Sequence, residues 1–104
     1  MKIVGVSACP TGIAHTYMAQ EALEREGKKR GYDVKIETQG SMGIENELSQ
    51  EEVDQADVVI FAVSIAIEGE ERFEEKDQAN KLMVVDPGDA IRKVAEIFDA
   101  LEKL

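Results

Sequence analysis

Cys9-Pro10-Thr11-Gly12-Ile13-Ala14-His15-Thr16 is the stretch around which this chain of 104 residues is organised, and it holds the only cysteine and the only histidine. Ahead of it, Lys2-Ile3-Val4-Gly5-Val6-Ser7 is apolar, β-branched and bounded by turn formers, which predicts a short buried strand. Behind it, Met18, Ala19, Ala22 and Leu23 recur at helical spacing until Gly31 supplies a stop. A loop that leaves a strand end and opens a helix is a natural anion cradle. Its N–H groups lack partners, and the helix dipole adds positive potential. A thiol at the mouth of such a cradle is stabilised as the thiolate and becomes a nucleophile near neutral pH. The expectation is that Cys9 carries a phosphoryl group during its working cycle.

The rest of the chain repeats the strand–helix alternation. Residues 33–38 (DVKIET) alternate apolar and polar side chains and predict a second strand, and Gln39-Gly40-Ser41-Met42-Gly43 reads as a glycine-punctuated loop at its end. Ser49-Gln50-Glu51-Glu52 is a capping box, so a short helix is expected over 50–56. The most hydrophobic run, 57–64 (DVVIFAVS), predicts a central strand covered on both faces. An acidic loop with a short helix over 70–75 follows, then a fourth strand over 81–86 (KLMVVD). Asp86-Pro87-Gly88-Asp89 opens a last helix whose buried stripe is expected to be Ile91, Val94, Ala95, Phe98 and Leu101. The expected fold class is α/β: a doubly wound, Rossmann-like or flavodoxin-like four-stranded parallel sheet in the order 2-1-3-4 with helices on both faces. Ligands of such sheets bind at the C-terminal strand ends beside the switch point between strands 1 and 3. The Cys9 loop falls there.

Composition narrows the function. A net charge of −10 with 33% charged residues is a poor footprint for a nucleic-acid or anionic-membrane binder. The longest apolar run, 58–63, is far too short to span a bilayer, and no signal-peptide pattern opens the chain, so a soluble cytoplasmic protein is expected. One cysteine makes no internal disulfide, and one cysteine with one histidine makes a zinc site a poor reading. No cofactor is expected: no Gly-Lys-[Ser/Thr] follows Gly12, and no Gly-x-Gly-x-x-Gly occurs.

Each loop residue has a physical use. Gly12 permits positive φ so that successive N–H groups converge on one anion, and Pro10 stiffens the turn. Thr11 and Thr16 can donate hydrogen bonds to phosphate oxygens, Thr16 through its backbone N–H, though Thr16 could instead be a plain N-cap. His15 is either a cationic phosphate donor or a cap of the first turn. Gln39, Gly40 and Ser41 line the pocket or form an ordinary turn. Arg72 and Lys76 read as solvated surface charges, with partner docking as the alternative.

The octapeptide, followed by Tyr17-Met18-Ala19, resembles the active-site loop of the fructose-specific enzyme IIB component of the bacterial phosphoenolpyruvate:sugar phosphotransferase system (PTS). The resemblance continues in residues 34–41 with Gly43, in Asn46, Leu48 and Ala56-Asp57, and resumes at Arg72-Phe73 with Lys76. It implies that residues 1–104 form one fructose-like EIIB domain. It implies also that Cys9 accepts a phosphoryl group from a phosphohistidine of enzyme IIA, cradled by Pro10 to Thr16, and passes it to a sugar bound by the membrane enzyme IIC. Both partners would be separate chains. The sequence departs from the family at Ser64, where an aspartate is usual, and at Glu75, where glycine is usual; both positions bear on donor or sugar specificity.

The spacing Cys-x5-His-Thr is also close to the Cys-x5-Arg-[Ser/Thr] loop of tyrosine phosphatases. The alternative is therefore a low-molecular-weight phosphatase-like hydrolase with Cys9 as nucleophile and Asp86 as general acid. Histidine in place of the arginine fork disfavours it, and Asp86 could simply cap the last helix. An arsenate reductase lacks its second thiol here. A third reading is a non-catalytic anion-sensing domain.

Overall fold

Strand β1 (Lys2–Ala8) lies at the centre of the sheet, buried from Ile3 to Ala8, as its β-branched composition requires of a strand packed on both faces. The computed structural model describes residues 1–10, 13–40 and 43–104. β2 (Asp33–Gly40) pairs with β1 in parallel from Lys2↔Asp33 to Ala8↔Gln39. On the other side β4 (Val58–Val63) pairs from Ile3↔Val58 to Ala8↔Val63, and β5 (Leu82–Val85) follows β4, both parallel. These four strands run β2-β1-β4-β5, the order that strand–helix alternation predicts.

Among the described residues the sheet nevertheless has five strands. β3 (Gly43–Glu45) adds to the outer edge of β2 in the antiparallel sense, with Gln39 opposite Ile44 and Gly40 opposite Gly43. The expected loop after β2 is in part this hairpin. All three β3 residues are exposed, so no hydrophobic alternation marks the strand; backbone pairing to a β2 two residues longer than expected creates it.

Alternation along the strands sends side chains to two layers. One face presents Ile3, Ile36, Val58, Ile60 and Ala62 to Ala19 and Leu23 of α1 (Ile13–Lys29) and to Phe98 and Leu101 of α5 (Val94–Leu101). At Gly27 a Cβ atom would lie 2.1 Å from a Val34 methyl, so glycine is what lets α1 settle onto β2. The other face presents Val4, Val6, Val59 and Phe61 to Leu48, Val53, Ala56 and Phe73. Its cover is α2 (Gln50–Gln55), a single 3-10 turn (Glu70–Phe73) and α3 (Glu74–Gln78).

The capping box of α2 forms as expected: Ser49 Oγ accepts from the Glu52 N–H while Glu52 accepts from the Ser49 N–H. The last helix departs from expectation by breaking at Lys93 (φ −124°, ψ 32°) into α4 (Pro87–Arg92) and α5. The buried stripe then runs through Ala90, Ile97, Phe98 and Leu101, and Ala95 is exposed. Met18 of α1 is likewise 48% exposed rather than part of the core.

Candidate functional site

β1 delivers Cys9 to the C-terminal edge of the sheet, at the boundary where the chain crosses from β2 on one side to β4 on the other. Ser7 fixes the outgoing path: its hydroxyl, fully buried, donates to the Thr16 carbonyl at 2.9 Å and ties the end of β1 to the first turn of α1. Cys9 is half-buried and Pro10 exposed at the bottom of an open cleft of about 510 Å³. Gln39, Gly40, Gly43 and Ile44 form one wall of this cleft; Ile65, Ala66 and Glu68 form the other. The rim is apolar where Ile44 and Ile65 stay 37% and 40% exposed.

The start of α1 is suited to an anion. α1 has no acidic residue in its first turn and ends on Lys28 and Lys29. The other helices and the 3-10 turn all carry acids in their first turns, as a chain with 22 carboxylates readily would. Acids there complement the helix dipole, and leaving them out at α1 leaves its positive end uncompensated, beside the thiol.

The expected site residues fare unequally. Ala14 and His15 are exposed on the first turn of α1, which begins at Ile13. Thr16 is inside that turn and buried, so the N-cap reading is corrected; its hydroxyl oxygen has no partner among the described residues. Thr11, Gly12 and Ser41 lie outside the described residues. Gln39 and Gly40 line the cleft from β2. Ser64 is exposed just past β4 and its N–H donates to the Ala8 carbonyl at 3.2 Å, which places it beside the loop but not on the cleft walls. Asp86 caps α4, accepting from the Gly88 N–H at 2.8 Å with Pro87 at the first helical position.

Arg72 is the clearest correction. Read from the sequence as a solvated charge, its side chain is only 12% exposed and meets the fully buried Glu37 carboxylate in a two-pronged pair, Nη1 to Oε1 at 2.7 Å and Nη2 to Oε2 at 3.0 Å. Burial pushes the Glu37 carboxyl up, but Arg72, the Leu48 N–H and the Gln39 amide outweigh it and hold the group below the usual carboxylate range. Lys76 is also engaged, donating to the Ala56 carbonyl at 2.7 Å. The signal for Glu37 lay in its strand: Lys35, Glu37 and Gln39 are three polar residues in succession on one face of β2, a face the fold must cover. Their partners are distant in sequence, Glu52 for Lys35 and Glu68 for Gln39. Tyr17, which sequence reasoning gave no role, donates to the Glu45 carboxylate and links α1 to β3; that bond, aided by burial, raises the phenol.

Fold and site together define a class: a doubly wound α/β domain with one thiol at the carboxyl edge of a parallel sheet, facing an acid-free helix start. The family model described as "PTS system, Lactose/Cellobiose specific IIB subunit" matches residues 4–100. The "PTS system fructose-like EIIB component 2" of Escherichia coli K12 is 50% identical over 102 residues, 97% of this chain and 92% of that protein. The solution structure of an enzyme IIB subunit of the PTS system from Escherichia coli K12 superposes with a TM-score of 0.88 at 40% identity, covering 98% of this chain and 91% of that one. A domain from a fructose-specific IIABC component of Borrelia burgdorferi gives 0.86 at 48% identity, with 94% and 89% covered. The chain belongs to the PTS IIB family, as a fructose-like EIIB component. It is thus a phosphotransferase subunit, a phosphoryl carrier in sugar transport. No helix among the described residues is long and apolar enough to cross a membrane.

Proposed function

We propose that Cys9 is the phosphoryl acceptor. The observation that carries this reading is its place: a half-buried thiol at the end of β1, one short loop ahead of the only described helix whose first turn lacks an acid. The thiolate attacks the phosphorus of a phosphohistidine on enzyme IIA; the S–P bond forms, the P–N bond breaks, and the imidazole leaves with the electron pair. A phosphocysteine brings close to two negative charges, which the uncompensated helix start and loop N–H groups, with His15 and Thr16, are suited to hold. In the second transfer a sugar hydroxyl on enzyme IIC attacks phosphorus, the S–P bond breaks, the thiolate is restored and the hydroxyl proton passes to solvent. Positioning and charge dominate such transfers. The absence of an arginine fork protects the carrier from losing its phosphate to water.

The chain acts as one EIIB domain in the cytoplasm, with fructose or a close relative as the sugar. Enzymes IIA and IIC, as separate chains, meet the apolar rim of Ile44 and Ile65 through small transient interfaces. The test is intact mass after incubation with phosphoenolpyruvate, enzyme I, HPr and a fructose-type enzyme IIA. Wild type is expected to gain one phosphoryl group and Cys9→Ser none. Free phosphate released from an aryl phosphate in a Cys9-dependent way, with no adduct, sinks the carrier reading in favour of a hydrolase.

A further inference from the structure

The cleft's two walls are built differently. The β3 side is a hairpin held by backbone pairing. The opposite wall, 65–68, follows β4 as a loop, and what fixes it is a set of side chains from β2 and the 3-10 turn. Gln39 clasps the Glu68 backbone on both sides: its Nε2 donates to the Glu68 carbonyl at 2.9 Å and its Oε1 accepts from the Glu68 N–H at 2.8 Å. The same Nε2 donates to Glu37 Oε2 at 2.6 Å, so the Glu37 carboxylate orients the clasp.

Arg72 completes the unit and all five of its N–H donors are used. Nε donates to the Gly69 carbonyl (2.8 Å); Nη1 to Glu37 (2.7 Å) and the Leu48 carbonyl (2.6 Å); Nη2 to Glu37 (3.0 Å) and the Glu68 carbonyl (3.1 Å). The ring of Phe73 lies under the guanidinium at 5.0 Å. Gly69 belongs to the same device: it has φ +72°, and a Cβ there would sit 2.7 Å from Arg72 Nε and Nη2. Buried ion pairs of this kind contribute little net stability over apolar residues of the same shape; what they supply is a single geometry. Here that geometry reaches the 65–68 wall, because both Gln39 and Arg72 donate to the Glu68 carbonyl.

We propose that the Glu37–Arg72 pair is a positioning device for donor docking: acting through Gln39 and Glu68, it sets the 65–68 wall against which the phosphorylated partner protein seats. The pair touches no reacting atom, so these are positioning residues, and the proposal rests on the reading of Cys9 as phosphoryl acceptor. It assigns docking specificity to a buried charge pair rather than to the cleft rim alone.

The test compares wild type, Arg72→Lys and the double replacement Glu37→Leu/Arg72→Met in three measurements. The double replacement removes both charges together but also leaves the Leu48 N–H and the Gly69, Leu48 and Glu68 carbonyls without these partners, so it is expected to melt below wild type while remaining folded. Its apparent KM for the phosphorylated enzyme IIA is expected to rise about tenfold, while single-turnover phosphorylation at saturating donor and alkylation of Cys9 by iodoacetamide stay at wild-type rates. The Glu68 amide should exchange with solvent about tenfold faster while the β1 and α1 amides are unchanged. Arg72→Lys, which keeps the charge but cannot span four acceptor groups, should fall between the two and covers the case in which the double variant fails to fold. An unchanged KM or unchanged Glu68 protection in either folded variant overturns the proposal. Wild type that takes no phosphate on Cys9 overturns the acceptor reading instead, and the exchange measurement still decides whether the pair holds the wall.

Discussion

On one face of the sheet α1 runs for 17 residues and, with α5, buries Ala19, Leu23, Phe98 and Leu101 against the strands. On the other, α2, the 3-10 turn and α3 run for only 6, 4 and 5 residues. Helix α1 buries a continuous apolar stripe, and that burial is its main hold, with Arg30 joining α1 to α5 at the rim through Asp99, Glu102 and the Ala95 carbonyl. Pieces this short cannot, so the second face adds a polar ladder: Lys35 to Glu52, Glu37 to Arg72, Gln39 to Glu68. Both faces bury an apolar cluster, but only on the second does a ladder of directed bonds run inward from the strand itself, through the fully buried Glu37. The contrast teaches where adjustment is possible. A directed bond sets a position without adding much stability, so the face that shapes the cleft wall is also the face whose geometry can be retuned at small thermodynamic cost.

The largest expected effect lies on the face held by burial. Phe98→Ala removes a fully buried ring and should cost about 4 kcal/mol in denaturant unfolding, with an unchanged slope. A loss below about 1 kcal/mol would break the contrast, because it would mean that this face too is held by something other than packing. A smaller effect is expected on the ladder face. Ser49→Ala removes the α2 cap and should cost about 1 kcal/mol, with amide exchange rising in α2 before α1. Uniform acceleration across both faces would show the two to be one cooperative unit.

Acid should act last and selectively. Glu37 and Glu52 both have carboxyls held below their ordinary value; for Glu52 the Lys35 ammonium and the Ser49 N–H bring it from 4.5 down to about 2. A depressed pKa contributes stability that is fully present above the unfolded value and is lost as pH falls through the folded one. Stability should therefore hold flat from neutrality to about pH 4.5 and decline from there toward pH 2. Lys35→Met should lower stability at neutral pH and make the decline below about pH 4.5 shallower, because the folded Glu52 carboxyl then lies nearer its unfolded value, read by chemical denaturation at a series of pH values. An identical acid profile in that variant would remove Lys35–Glu52 from the ladder.

Much of this was legible in the sequence because its causes are local. The apolar run of β1, the alternation that orders the parallel strands, the Ser49–Glu52 box and the thiol ahead of a helix start are all written in neighbouring residues. β3 was not, since three exposed residues carry no periodicity and only the β2 edge gives them a partner. The break at Lys93 leaves the apolar spacing of 90, 94, 97 and 101 almost intact, so the stripe does not announce it. Arg72 was misread because its meaning lies 35 positions away, at Glu37. A cation in an acidic loop looks solvated until the fold folds a carboxylate under it. The polar run on one face of β2 was the available hint that some such partner had to exist.

The parallel arrangement also decides where other polypeptide can be joined. Near the edge where the strands begin, the Met1 carbonyl accepts from the Asp33 N–H at 3.1 Å, and the ammonium of Lys81, just ahead of β5, donates to the Leu104 carbonyl. Cys9 stands at the opposite edge, where the strands finish. A tether attached at either end therefore leaves from the rear of the domain, with Cys9 at the edge in front of it. In such a geometry a tether raises the effective concentration of whatever it joins without lying across the Cys9 edge.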